Sequence, residues 1–95
     1  MTNAVMHTSP QTTVIVDTIV ENELELRSLM ETARGVFTKY HHPPPPVPHS
    51  LADHVPCRVL IQTHWDRGGH ATGHIRFLNS NRVNYDAKWI ILDNP

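Results

Sequence analysis

Residues 57–78 read CRVLIQTHWDRGGHATGHIRFL, two runs of alternating character on either side of Asp66-Arg67-Gly68-Gly69. Period-two alternation predicts β-strands over 57–65 and 71–78 joined as a hairpin. Their register follows from the residues. With Asp66 facing His70 across the loop Arg67-Gly68-Gly69, Val59, Ile61, Thr63 and Trp65 lie opposite Phe77, Ile75, Gly73 and Ala71 on one apolar face. The other face then gathers Gln62, His64 and Asp66 against His74, Thr72 and His70, with Arg58, Leu60, Arg76 and Leu78 further along. A slip of one residue would exchange the two faces. A two-residue loop would set Val59 and Ile61 against polar or charged partners. The three-residue loop calls for a positive φ at its end, which Gly69 adopts without steric cost.

Working outward, TTVIVDTIV (12–20) is β-branched almost throughout and predicts another strand. Val14 and Val16 fall on one side of it and Ile15 and Ile19 on the other, the pattern of a strand inside a sheet or beneath a helix. The period changes over residues 22–40. Leu26, Leu29, Met30, Ala33, Val36 or Phe37, and Tyr40 recur at three- and four-residue spacing, which is one helical face. Asn22 suits the N-cap, Glu25 stands three positions on, and the glutamates place negative charge at the positive end of the helix dipole. Gly35 weakens the last turns by roughly 1 kcal/mol relative to alanine, or marks a close approach.

The segment HHPPPPVPHSLADHVP (41–56) ends the helix. Four consecutive prolines hold φ near −65° and lack amide donors, so the run favours polyproline II. Two roles compete for it: a ligand for an aromatic-lined proline-binding groove, or a stiff crossover returning the chain to the sheet. Its place between two core elements, with no arginine-flanked PxxP arrangement, favours the crossover. A last strand is expected over 87–92, after the turn-rich NSNRVNYD. On that strand Ile90 and Leu92 share one face and Trp89 and Ile91 the other. One of those pairs is exposed unless the helix or a second subunit covers it. The reading is a single α+β domain over 12–95, with one helix packed on a four-stranded, mainly antiparallel sheet in the order β-α-β-β-β. Residues 1–11 are polar and patternless and are expected to form a flexible tail.

Composition narrows the function. Ninety-five residues, 39% of them hydrophobic, can bury only about 60–65% of their unfolded surface, so one modest core is available. The net charge is −1 and both signs are interspersed, leaving no basic footprint for nucleic acid. A single cysteine, Cys57, excludes an internal disulfide and a four-thiolate zinc site. Apolar runs are far shorter than the ~20 residues of a membrane span. The opening MTNAVMHTSPQ has neither a cationic start nor an apolar stretch, so no signal peptide and a cytoplasmic address are expected.

The histidines invite a chemical reading. His70 and His74 are four apart on one strand, so their Cβ atoms stand roughly 13 Å apart at ~3.3 Å per residue. Both cannot bind one metal while the strand stays regular. His64 lies diagonal to each, so His64, Asp66 and His70 are the best candidate clamp, three ligands with no recognised spacing behind them. His64 and His74 beside Arg76 also carry the parts for acid–base cleavage of RNA, although an open sheet face excludes water poorly. Single-stranded nucleic acid would want exposed aromatics with basic neighbours, and Trp65 and Phe77 fall on the buried face.

The expectation is therefore a non-enzymatic protein-binding module without a cofactor. It would use the mixed face of Arg58, Leu60, Gln62, His64, His74, Arg76 and Leu78, the blend of apolar, hydrogen-bonding and arginine groups found at interfaces. Its partner would be another protein or complex, with a second copy of itself a further candidate. Small α+β domains without catalytic motifs are frequently inhibitors or adaptors. The most specific form of the expectation is a phage-encoded anti-defence protein such as an anti-CRISPR, acting in the host cytoplasm. No motif carries that last step. The alternative is a histidine-dependent metal-binding or RNA-cleaving protein built on His64, His70 and His74.

Overall fold

The computed structural model describes residues 11–80 and 82–92. The elements run β1 (Gln11–Val20), α1 (Glu23–Lys39), a 3-10 turn (Leu51–His54), β2 (Cys57–Trp65), β3 (Ala71–Asn79) and β4 (Arg82–Leu92). The four strands form one antiparallel sheet in sequence order, with α1 inserted between β1 and β2. This is the expected α+β fold in the order β-α-β-β-β. No described helix is long and apolar enough to cross a membrane.

The hairpin adopts the register that its residues dictate. Val59 pairs with Phe77, Ile61 with Ile75, Thr63 with Gly73 and Trp65 with Ala71. Gly69 takes φ 84°, and the Asp66 amide donates to the His70 carbonyl at 3.0 Å to close the loop. Val59, Ile61, Ile75 and Phe77 are fully buried, each contributing about 1.5–3 kcal/mol through removal of apolar surface from water. They meet the helical stripe of Leu26, Met30, Ala33 and Phe37, all buried. Phe37 rather than Val36 is the core residue of the last turns, and Tyr40 lies exposed.

Both helix ends are capped by their own residues. Asn22 Oδ1 accepts from the Glu25 amide at 2.9 Å, while Glu25 Oε1 accepts from the Glu21 amide at 2.7 Å. These two bonds satisfy donors that the helix itself cannot. At the other end His41 turns left-handed at φ 64°, its amide donates to Thr38 O, and the His42 amide donates to Phe37 O. That pattern is a Schellman close, which more often uses glycine.

The proline segment behaves as a crossover. Helix α1 carries the chain about 25 Å from its start at ~1.5 Å per residue, yet Val20 pairs with Cys57. The chain must therefore come back over the same distance. Polyproline II covers about 3.1 Å per residue, and along the return Pro45 and Leu51 are buried and His42, Pro46 and Pro48 half-buried. The returning strap lies over the half of the sheet nearest β4. The Pro43 carbonyl accepts from Trp89 Nε1 at 3.2 Å, and the His54 ring stands edge-on to Phe77 and Tyr85, at centroid distances of 5.4 and 5.8 Å. Helix and strap together form the second layer.

Trp89 joins them. Its indole lies flat over Gly73, where a side chain would overlap the ring, and Phe37 meets it edge-on at 5.5 Å. The glycine of β3 is thus the seat of a tryptophan from β4.

Three expectations are corrected. β1 is an edge strand, and a register shift between Val14 and Val16 exchanges its faces. Val14 and Ile19 consequently share the solvent side, while Ile15 and Val16 pack against the core. Gln11, expected in the tail, opens β1 opposite Trp65; residues 1–10 lie outside the described residues. The last strand begins at Arg82 instead of residue 87, because Ser80 at φ 56° makes a tight connection that pairs Asn79 with Arg82. The polar residues of NRVNYD are accommodated because β4 is also an edge and one of its faces is open.

Two glycines test this packing in opposite directions. Gly73→Ala should lower stability by about 1–3 kcal/mol through overpacking against Trp89. Gly35 has open space where a Cβ would stand, so Gly35→Ala should raise stability by about 1 kcal/mol. Urea denaturation followed by circular dichroism measures both.

Candidate protein-binding face

Among the described residues, helix and strap cover one side of the sheet and leave the other bare. Four cross-strand rows make up that bare side. Thr12, His64, Thr72 and Ile90 form the first, and Val14, Gln62, His74 and Lys88 the second. Asp17, Leu60, Arg76 and Asp86 form the third, and Ile19, Arg58, Leu78 and Val83 the last. The seven residues expected from sequence, Arg58, Leu60, Gln62, His64, His74, Arg76 and Leu78, thus all lie together in its two central columns. Arg58 is exposed and the other six are half-buried by their cross-strand neighbours.

Hydrogen bonds tie the columns together. Arg58 grips Asp17 with two bonds, Nε to Oδ1 at 2.8 Å and Nη2 to Oδ2 at 2.9 Å. Arg76 Nη2 donates to Gln62 Oε1 at 2.6 Å, and His74 Nε2 lies 2.6 Å from Asp86 Oδ1. Thr12 Oγ1 and His64 Nδ1 are 2.9 Å apart. The Arg58 guanidinium holds the Asp17 carboxyl below the usual carboxylate range, first by hydrogen bonding and then by charge. Among the described residues, Arg76 Nε is buried without a hydrogen-bond partner. Around this polar lattice stand apolar side chains with much of their surface in water: Ile90 at 70%, Ile19 at 68%, Val14 at 52% and Val83 at 50%.

The structure does not bring His64, Asp66 and His70 together as a clamp. His64 leans away from the loop toward Thr12 and toward His74, whose ring centroid is 6.1 Å away. Asp66 is occupied by the loop itself, its Oδ1 accepting from the amides of His70 at 2.9 Å and Gly68 at 2.8 Å. Those amide bonds, that of His70 foremost, lower the Asp66 pKa. Among the described residues no group of three or more His, Cys, Asp or Glu side chains is arranged to hold a metal ion. Cys57 is buried, and burial pushes its thiol above the ordinary range, opposite to what a nucleophilic thiolate needs.

The outer columns went unread in the sequence. Thr12, Asp17, Val83, Asp86 and Lys88 reach this face through two edge strands whose register shifts hide the period. One signal was available: Asp17 is the lone charge within a β-branched run, and an arginine opposite it would neutralise that charge. Comparison with protein-family models, curated proteins and solved structures finds no match to this chain.

The lowered carboxylates set an acid response. A carboxyl whose pKa is lower in the folded state adds stability above its unfolded pKa, near 3.9, and loses it as pH falls through the folded value. Asp17 and Asp66 both have this sign. Urea midpoints should therefore fall more steeply between pH 5 and pH 3 for the wild type than for an Asp17→Asn, Asp66→Asn double variant. Parallel curves would show that these two carboxylates do not carry the acid response.

Proposed function

We propose that this protein is a non-enzymatic binding module that recognises another protein through the bare face of its sheet. The observation that supports the reading is the pattern on that face. Ile90, Val14, Ile19 and Val83 stay at least half exposed around a lattice of hydrogen-bonded arginines, histidines and acids. Exposed apolar groups interspersed with arginines and other hydrogen-bonding groups are the mix of side chains that interfaces use. The lattice holds Arg58 and Arg76 in place before a partner arrives, which reduces the side-chain entropy lost on binding. With no described helix or loop above it, the face can meet a broad surface.

The most specific form of this reading is an inhibitor of a larger complex, of the phage-encoded anti-defence kind exemplified by anti-CRISPR proteins. It rests on small size, near-zero net charge and a binding face without a water-excluding pocket for chemistry. Such a protein would act in the cytoplasm of the host.

A second reading draws on the His64–His74 pair. The two rings stand 6.1 Å apart on the face that also carries Arg76, which would serve acid–base cleavage of RNA. Two features weigh toward binding instead: the His74 side chain is only 13% exposed, and its Nε2 is taken by Asp86. An RNA-cleavage assay on the wild type, His64→Ala and His74→Ala separates the readings. Cleavage abolished by both substitutions would favour the enzyme.

For the binding reading, Ile90→Glu should leave the melting temperature nearly unchanged, since the side chain is largely in water. Burying the new charge in an interface should weaken partner binding at least tenfold. Affinity capture from a bacterial lysate identifies the partner, and calorimetry with the purified partner measures the loss. Unchanged affinity for Ile90→Glu and for Val83→Glu would move the binding site off this face. In a bacterium whose defence complex restricts a phage, the wild-type protein should restore plating and Ile90→Glu should not.

A further inference from the structure

We infer that two copies of this chain pair edge to edge through β1 and the adjoining flank of α1, merging two four-stranded sheets into one of eight strands. The inference concerns a different surface from the bare face and stands whether or not that face binds a target.

The first support is the edge itself. Among the described residues β1 is paired on one side, with β2, and its other side presents unpaired backbone donors and acceptors. Those groups call for an extended strand. β1 has neither proline nor lysine in ten residues, and its one guard is the register shift between Val14 and Val16. Its one charge, Asp17, is neutralised by Arg58 of its own chain, so a copy alongside meets no repulsion. The register shift near Ile15 interrupts the edge but leaves Val16–Val20 as a regular run. The opposite edge is better protected, since β4 has two register shifts and carries Lys88 and Arg82.

The second support is the helix flank. The strap runs along one side of α1, where Arg27, Met30 and Arg34 share a cavity of about 230 Å³ with Pro44, Pro45 and Leu51. The other side is open, and Val20, Leu24 and Leu29 border an apolar groove of about 460 Å³. Leu24 is 74% exposed there.

The third is complementarity under two-fold symmetry, the symmetry of most homodimers. Antiparallel pairing of β1 with its copy makes the two α1 helices antiparallel as well. About a midpoint near residue 30, Leu24 then lies level with the copy's Val36, the small Ser28 with Thr32, and Glu21 with Lys39. Acidic residues crowd the first turn of α1 and Lys39 closes the last. Lys39 has no acidic partner in its own chain among the described residues, so each end of the helix meets the opposite charge.

Area then assigns a role to each part. The regular run Val16–Val20 is about 17 Å long at ~3.3 Å per residue, and a sheet layer is about 10 Å thick, so the strand edge alone covers roughly 170 Å². A standard interface takes about 800 Å² from each partner. The helix flank must supply the remainder, and a charge placed on it should break the pair.

Sedimentation equilibrium and light scattering on the full chain test this directly. The expected result is a mass twice the chain's 10.8 kDa at micromolar concentration. Leu24→Glu should shift that mass to the monomer while circular dichroism stays native, because the side chain is mostly in water. Ile90→Glu, on the bare face, should leave the dimer intact. A wild-type monomer at sub-millimolar concentration would overturn the inference. So would a dimer that survives Leu24→Glu, or one that Ile90→Glu dissociates, since either places the contact elsewhere.

Discussion

The indole of Trp89 lying flat on Gly73 is the contact on which the two layers depend. A β-strand glycine normally weakens its strand because it has no side chain to pack. Here the tryptophan from the neighbouring strand fills the gap, and the same ring meets Phe37 of α1 edge-on and donates its N–H to the Pro43 carbonyl. One side chain thereby touches the sheet, the end of the helix and the start of the strap. The indole N–H would be costly to bury without an acceptor, and the strap supplies one at the point where the helix can no longer cover the sheet.

Between α1 and β2 the chain covers half of the sheet with a proline run instead of a second helix. Proline suits the task because its backbone has no donor to leave unsatisfied and loses little freedom on folding. Pro45 and Leu51 are buried beneath the strap and do the work of helical core residues. The segment that most resembles a recognition motif lies with one side against the domain.

The bare face follows from the same economy. With one helix and one strap, both lie on the same side, and the other side must remain in water by its own chemistry. Arginine, histidine, glutamine and acid side chains satisfy one another across the four strands, which keeps them ordered. Among the described residues nothing covers the isoleucines and valines between them. That combination supports a binding surface, and it arises because the apolar groups here cannot reach the core on the far side of the sheet.

Much of this was legible in the residues alone. The period of Leu26, Met30, Ala33 and Phe37, the alternation from Val59 to Trp65, and the glycine at position 69 are local patterns, and local patterns determined the helix, the central hairpin and its register. Asn22 and Glu25 likewise marked the helix start. What the sequence could not settle was long-range. Which way Val14 and Ile19 face depends on one extra residue in the pairing of β1 with β2, and no period in β1 itself reveals it. The late start assigned to β4 had the same origin, since NRVNYD is turn-like in composition and becomes strand because Ser80 lets it pair with β3. The meeting of Trp89 with Gly73 joins residues whose fit depends on ring and backbone approaching in space. The sequence by itself determined the elements and the inward face of the central hairpin; only the tertiary structure decided the edges, the strap and the composition of the bare face, because those follow from contacts between segments distant along the chain.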